Sequence, residues 1–288
     1  MTKKAVVTGG DGFIGTHIRQ ALVEQGFEAV SVDLKSGNDI LDTEKLKELF
    51  AGATYVFHTA ALPRVPYSIE HPQETNHVNV EGTLSVLVAA QAAGVSRVVY
   101  SGSSSAYGNQ KVMPLTEDMP ANPISPYALQ KYIGEQYAKL FSEVYGLSTV
   151  SLRYFNVYGR GMDPNGAYAL AIGKFIKQRQ DGKPITITGD GTQTRDFTHV
   201  RDVVRANLLA AMSEKVGKGE VLNVGAGRSV SMNTIAELIG GPVEHVAPRL
   251  EPHDTMANNS LARELLGWQP TVTIEEGISE LKSLAGLA

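Results

Sequence analysis

The chain has 288 residues, 42% of them apolar and 19% charged, with a formal net charge of -4 and no cysteine. That is enough apolar material for one large core with a smaller lobe attached, and it excludes a disordered chain. The absence of a basic field argues against a nucleic-acid partner, and the absence of thiols rules out disulfides and thiolate metal sites.

In chain order, short β-branched runs at residues 5–8, 29–32, 55–58, 98–101 and 149–152 have the pattern of buried parallel strands. Helix-spaced apolar positions fill residues 17–25, 43–50, 77–93 and 127–145, with Gly26, Gly94 and Gly146 placed as C-caps. Strands alternating with helices predict an α/β fold, a doubly wound parallel sheet of the Rossmann type. Beyond about residue 155 the pattern loosens into Gly- and Pro-rich segments with single helices and a strand at 221–224. The expected division is a nucleotide-binding domain over 1–155, joined again by residues 190–228, with 156–288 forming mainly an interwoven substrate lobe. No apolar stretch reaches membrane-spanning length, and no apolar leader precedes the first strand. The expectation is a cytoplasmic protein with neither membrane nor nucleic acid as partner. The seven histidines show no ligand spacing, so no metal is assigned.

Chemistry enters at "TGGDGFIG", residues 8–15, where Gly9, Gly12 and Gly15, with Phe13 and Ile14 between them, follow the first strand and precede a helix. Free N–H groups and the positive dipole end of a helix behind such a turn form an anion site that fits a pyrophosphate. A tight turn with close helix packing would produce the same glycines, so context must decide. Eighteen residues beyond Gly15, Asp33 ends the second strand, where a carboxylate can accept hydrogen bonds from both adenosine ribose hydroxyls. It would repel a ribose phosphate, which favours NAD over NADP, although nearby Lys35 softens that argument.

The Gly-x-x-Gly-x-x-Gly spacing, with "HTAA", "NVEGT", "SGSSSAYG" and "SPYALQK" in order behind it, resembles the extended short-chain dehydrogenase/reductases over most of the chain. The resemblance implies that Asp39 and Ile40 contact the adenine, that Ala60 and Ala61 pass under the cofactor, and that Asn79 is the family's structural asparagine. It also makes Ser103, Tyr127 and Lys131 the catalytic set. Tyr127 and Lys131 are four residues apart and share a helix face. An ammonium there, helped by a cationic nicotinamide ring, is expected to pull the phenol toward neutrality and make it a general base. Ser103, with Ser104 and Ser105 beside it, would hydrogen-bond the sugar hydroxyl under attack.

Three later segments, "RYFNVYG", "DPNGAY" and "GDGTQTRDFTHVRDV", resemble the nucleotide-sugar epimerases. By that resemblance Asn156 holds the substrate diphosphate, Arg195 clamps it, and Arg249 is the second arginine, in a segment one residue shorter than the family pattern. Ser104 and Ser105 stand directly after Ser103 where the dehydratases and decarboxylases of the same fold need acids, which excludes both. The implied activity is redox-neutral 4-epimerisation of a nucleotide sugar, UDP-linked, through a 4-keto sugar. Small Thr255 at the expected sugar gate favours an N-acetylhexosamine alongside plain glucose. Arg64 in "ALPRVPYS" would instead select a glucuronate. A keto-sugar reductase and a non-catalytic NAD sensor are the alternatives, the first disfavoured by Asp33 and the second by the intact catalytic set. The resemblance further implies a homodimer built on the helices carrying Leu84, Leu87, Ile133 and Leu140.

Overall fold

The computed structural model describes residues 2–63, 65–163, 171–247 and 253–287. Strand β1 (Lys4–Thr8) leads into α1 (Phe13–Glu24), and β2 (Glu28–Val32), α2 (Thr43–Phe50) and β3 (Ala53–His58) repeat the alternation. Two short helices, α3 (Val65–Glu70) and α4 (Pro72–Asn76), run into a π turn at His77–Glu81 and then α5 (Gly82–Ala92). Strand β4 (Arg97–Ser103) ends in a 3-10 turn at Ser104–Tyr107, followed by α6 (Pro126–Tyr145) and β5 (Thr149–Tyr154). The second half holds β6 (Val157–Tyr158), α7 (Ala171–Gln180), β7 (Ile185–Thr188), β8 (Thr194–Asp196), β9 (Thr198–His199), α8 (Val200–Met212) and β10 (Lys218–Val224). It closes with β11 (Ser229–Ser231), α9 (Met232–Ile239), β12 (Val243–Val246), α10 (Ser260–Leu266) and α11 (Ile274–Leu284).

Six strands form one parallel sheet in the order β10-β5-β4-β3-β1-β2. The order reverses between β1 and β3, and in doubly wound sheets ligands bind at such a switch point, outside the carboxyl ends of the strands. Helices cover both faces. Ile18 and Leu22 of α1, Val203 and Val204 of α8, and Trp268 pack one side, and Leu46, Phe50, Val86, Leu87 and Phe141 pack the other. A third cluster, built from Tyr158, Phe175, Ile187, Ile235 and Ile278, is the core of the smaller lobe.

Two element boundaries differ from the sequence reading. Helix α1 starts at Phe13, directly behind Gly12, four residues earlier than the apolar spacing alone indicates. The expected helix over 77–93 opens with the π turn, which carries the buried Asn79. Residues 260–268, assigned from sequence to the substrate lobe, send Ala262, Leu266 and Trp268 into the core on the sheet. Among the described residues, no helix is long and apolar enough to cross a membrane.

Candidate active site

The glycine turn at the switch point has little room for any side chain. A Cβ on Gly9, whose φ is +67°, would lie 2.7 Å from the Ala60 nitrogen, and one on Gly15 would lie 2.1 Å from the Gly9 oxygen. Both clashes are with backbone, so only glycine lets β1, α1 and the end of β3 converge. Gly12, the N-cap of α1, provides no side-chain cap for the first turn. The first-turn amides are thus arranged as an anion cradle, which fits the pyrophosphate of NAD.

Beyond the cradle, Asp33 accepts from the Asp11 and Lys35 N–H groups at 3.1 and 3.0 Å, which fixes its carboxylate at the end of β2. Asp39 accepts from Leu41 N–H at 3.0 Å, turning the chain so that Ile40 packs against Gly82. Asn79 engages the protein on both sides of its amide. Its Oδ1 accepts from Leu62 N–H at 2.7 Å, and its Nδ2 donates to Leu62 O at 3.2 Å and Gln130 Oε1 at 2.9 Å. Asn79 therefore holds the loop behind Ala60 and Ala61 onto α6, a positional role toward a cofactor site.

Ser103 ends β4 and is a hydrogen-bonding centre. Its Oγ accepts from Ser105 N–H at 3.2 Å and Ser105 Oγ at 2.8 Å, and its hydroxyl acts on the Tyr127 phenol, lowering the pKa of that group. Ser104 is the first residue of the adjoining 3-10 turn. Tyr127 lies in the first turn of α6, which Pro126 opens and Ser125 caps by accepting from Ala128 N–H at 3.2 Å. One turn on, Lys131 is buried with its ammonium 4.5 Å from the centroid of the Tyr100 ring, while the Tyr100 hydroxyl donates to the Lys131 carbonyl at 3.1 Å.

Burial dominates the electrostatics. It pulls Lys131 down to about 7 and pushes the Tyr127 phenol above its ordinary value, the Ser103 hydroxyl acting in the opposite direction. The expectation that Lys131 draws the phenol toward neutrality is therefore not met by the protein alone, because desolvation outweighs the spacing argument. His58 is driven to about 3, by burial first and by the Lys131 charge second. It stays neutral in a relay. Thr83 Oγ1 donates to Asn79 O at 2.7 Å, which leaves it to accept from His58 Nε2–H at 2.9 Å, and Nδ1 then accepts from the Thr8 hydroxyl at 2.7 Å. This relay joins the cradle strand β1 through β3 to α5 and the π turn before it.

On the lobe side, β8 gathers the predicted substrate residues. Asn156, at φ +32°, donates from Nδ2 to Asp196 O at 2.8 Å. Arg195 donates from Nη1 to the carbonyls of Thr194 and His253, each at 2.9 Å. Thr255 donates its N–H to Thr194 O at 3.2 Å, and its Oγ1 accepts from Asp196 N–H at 3.4 Å. These three residues form one cluster. Arg64, Arg249 and all of "DPNGAY" except Asp163 lie outside the described residues.

Sequence reasoning missed Asp196, although it stands next to Arg195. It is fully buried and accepts from Ala226, Gly227 and Ala257 N–H at 2.7, 2.9 and 3.0 Å, and burial raises its carboxyl to about 6. It also missed the buried pair of Arg153 and Glu135, joined by two hydrogen bonds of 2.8 and 2.7 Å, whose guanidinium covers the Tyr107 ring behind the serines. The only signal for Asp196 was its place in a recognised motif. None pointed to Glu135, since its partner is on a different element.

Residues 5–225 match the family model described as the NAD dependent epimerase/dehydratase family. A putative UDP-glucose 4-epimerase of Methanocaldococcus jannaschii is 35% identical over 298 residues, spanning 96% of each chain. The UDP-N-acetylglucosamine 4-epimerase of Methanobrevibacter ruminantium, solved with UDP-N-acetylmuramic acid, superposes with a TM-score of 0.91 at 34% identity, covering 98% of this chain and 99% of that one. The UDP-glucuronic acid 4-epimerase of Bacillus cereus, solved with UDP-glucuronic acid and NAD, gives 0.88 at 31% identity over 98% and 99%. With the glycine cradle at the switch point, Ser103 at the end of β4, and Tyr127 with Lys131 one turn beyond it on α6, this chain belongs to the NAD dependent epimerase/dehydratase family.

Proposed function

We propose that the protein is an NAD-dependent UDP-sugar 4-epimerase. The observation that carries this reading is the grouping of Ser103 at the end of β4, Tyr127 in the first turn of α6 and buried Lys131 one turn further on, beside the glycine cradle, with only serines at 104 and 105. When bound, NAD supplies a hydride acceptor that is regenerated in the same turnover, and a positive ring beside the phenol. Tyr127 removes the proton of the sugar 4-hydroxyl, and Ser103 orients that hydroxyl through its Oγ. Lys131 keeps positive charge one turn from the phenol, offsetting the burial that disfavours the phenolate. Arg195 and Asn156 hold the diphosphate while the keto sugar turns over. Small Thr255 supports N-acetylglucosamine or glucose as the sugar. A glucuronate substrate held by Arg64 is the second reading, supported by the likeness to the Bacillus cereus enzyme.

The test is to give the purified protein, without added NAD, UDP-N-acetylglucosamine, UDP-glucose and UDP-glucuronate separately and to follow the galacto epimer by anomeric proton NMR. Turnover that is lost in Tyr127→Phe while NAD stays bound supports the epimerase. No turnover of any of the three, even with NAD supplied, overturns it in favour of a reductase or a sensor.

A further inference from the structure

The helix carrying Tyr127 is capped from two directions. The N–H groups of a helix's first turn have no intrahelical acceptor. Ser125 serves that of Ala128 from within the chain segment itself. That of Tyr127 is taken by a residue 59 positions away: it donates to Ser68 Oγ at 3.1 Å. Ser68 is fully buried in α3 and donates its own proton to Val65 O at 2.6 Å, so its oxygen has one orientation and is left to accept. The segment around it is braced. The Tyr67 hydroxyl donates to Glu74 at 2.7 Å, and its ring packs on His71 at 4.4 Å. A second set of bonds runs parallel to the first: Asn79 joins Leu62 to Gln130, and Gln130 Nε2 donates to Thr75 Oγ1 at 3.0 Å. Leu62, Ser68 and Thr75 are thereby tied to α6 at Tyr127 and Gln130, within the turn that leads from the phenol to Lys131.

We infer that Ser68 is a positioning residue for the general base, fixing the Tyr127 backbone so that the phenol meets Ser103 and the sugar hydroxyl in register. This rests on the epimerase reading and on Tyr127 as its base. The bond is made to the backbone of the reacting residue itself, so its loss moves the phenol without altering any group that binds NAD or the diphosphate.

The experiment measures kcat, KM for the UDP-sugar and the NAD retained per chain in wild type, Tyr127→Phe, Ser68→Ala and Ser68→Thr. A misplacement of the base by a fraction of an ångström to 1 Å predicts a kcat about 10- to 100-fold lower in Ser68→Ala. KM and retained NAD should stay within about threefold, a split that mere loss of stability would not produce. Ser68→Thr, which keeps the acceptor oxygen, should recover most of the loss. A folded Ser68→Ala with kcat within about threefold of wild type overturns the inference, as does a Ser68→Thr as slow as Ser68→Ala. If Ser68→Ala does not fold, Ser68→Cys keeps the volume with a poor acceptor and is read by the same criteria. A wild type that does not turn over any UDP-sugar defeats the epimerase reading instead, which separates the two failures.

Discussion

Tyr100 shows how a residue with no catalytic group of its own can set the state of one that has. Its ring lies under the Lys131 ammonium and its hydroxyl holds the Lys131 carbonyl, so one side chain fixes both ends of the lysine. The lysine is already down to about 7 through burial, and a ring face under the ammonium favours the cation and works against that fall. Tyr100→Leu should therefore lower the Lys131 pKa further, by about one unit for a desolvated cation–π contact, whereas Tyr100→Phe keeps the ring and should not. Since Lys131 supports the phenolate as a cation, the high-pH limb of the kcat profile should move to lower pH in Tyr100→Leu only. Superimposable profiles for the two variants would remove the ring from the argument. Tyr127 and Lys131 were legible as a pair because helix spacing puts them on one face. Tyr100 was not, because its contact to them crosses from a strand to a helix.

At the scale of elements, Asp196 ties β8 to the turn between β10 and β11 and to Ala257, through three N–H groups from two distant segments. Thr255, Arg195 and Asn156 all depend on that junction, since each bonds to β8 or forms part of it. Its folded pKa of about 6 lies above an ordinary aspartate near 4, so between those values the folded state binds more protons than the unfolded one. Stability from this group therefore falls as pH rises through that window and is flat above it. The stability difference between wild type and Asp196→Asn should be about 1 kcal/mol larger at pH ~5 than at pH ~7 in denaturant titrations. A difference that does not change with pH would mean that Asp196 titrates normally. Helix α6 has a comparable anchor in the Glu135–Arg153 pair, which is almost fully buried at both ends. Neither junction was readable, because a buried charge is identified by its partner and both partners are remote in sequence.

For the whole molecule, the expected homodimer requires an exposed apolar face. The four side chains that pointed to a dimer divide in the structure: Leu87 is fully buried in the core and Leu84 packs against it, Ile133 is half-buried, and Leu140 is 45% exposed. The outward stripe on α6 is instead Leu129, Leu140 and Val144, at 46, 45 and 62% exposure, with Val88 of α5 also exposed. We propose that this stripe is the homodimer face. Leu129→Glu combined with Leu140→Glu should convert a dimer to a monomer in analytical ultracentrifugation at micromolar concentration without lowering the helix content. Sedimentation of wild type as a monomer there would rule the face out. The sequence by itself determined the alternation of strands and helices, the glycine cradle and the Tyr127–Lys131 pair, because each depends on neighbours within one turn or one strand–turn–helix step. Only the tertiary structure decided which apolar residues face the core, where Asp196 and Ser68 find their partners, and that burial raises the phenol. Those outcomes depend on desolvation and on contacts between segments far apart in the chain, and local spacing contains no record of either.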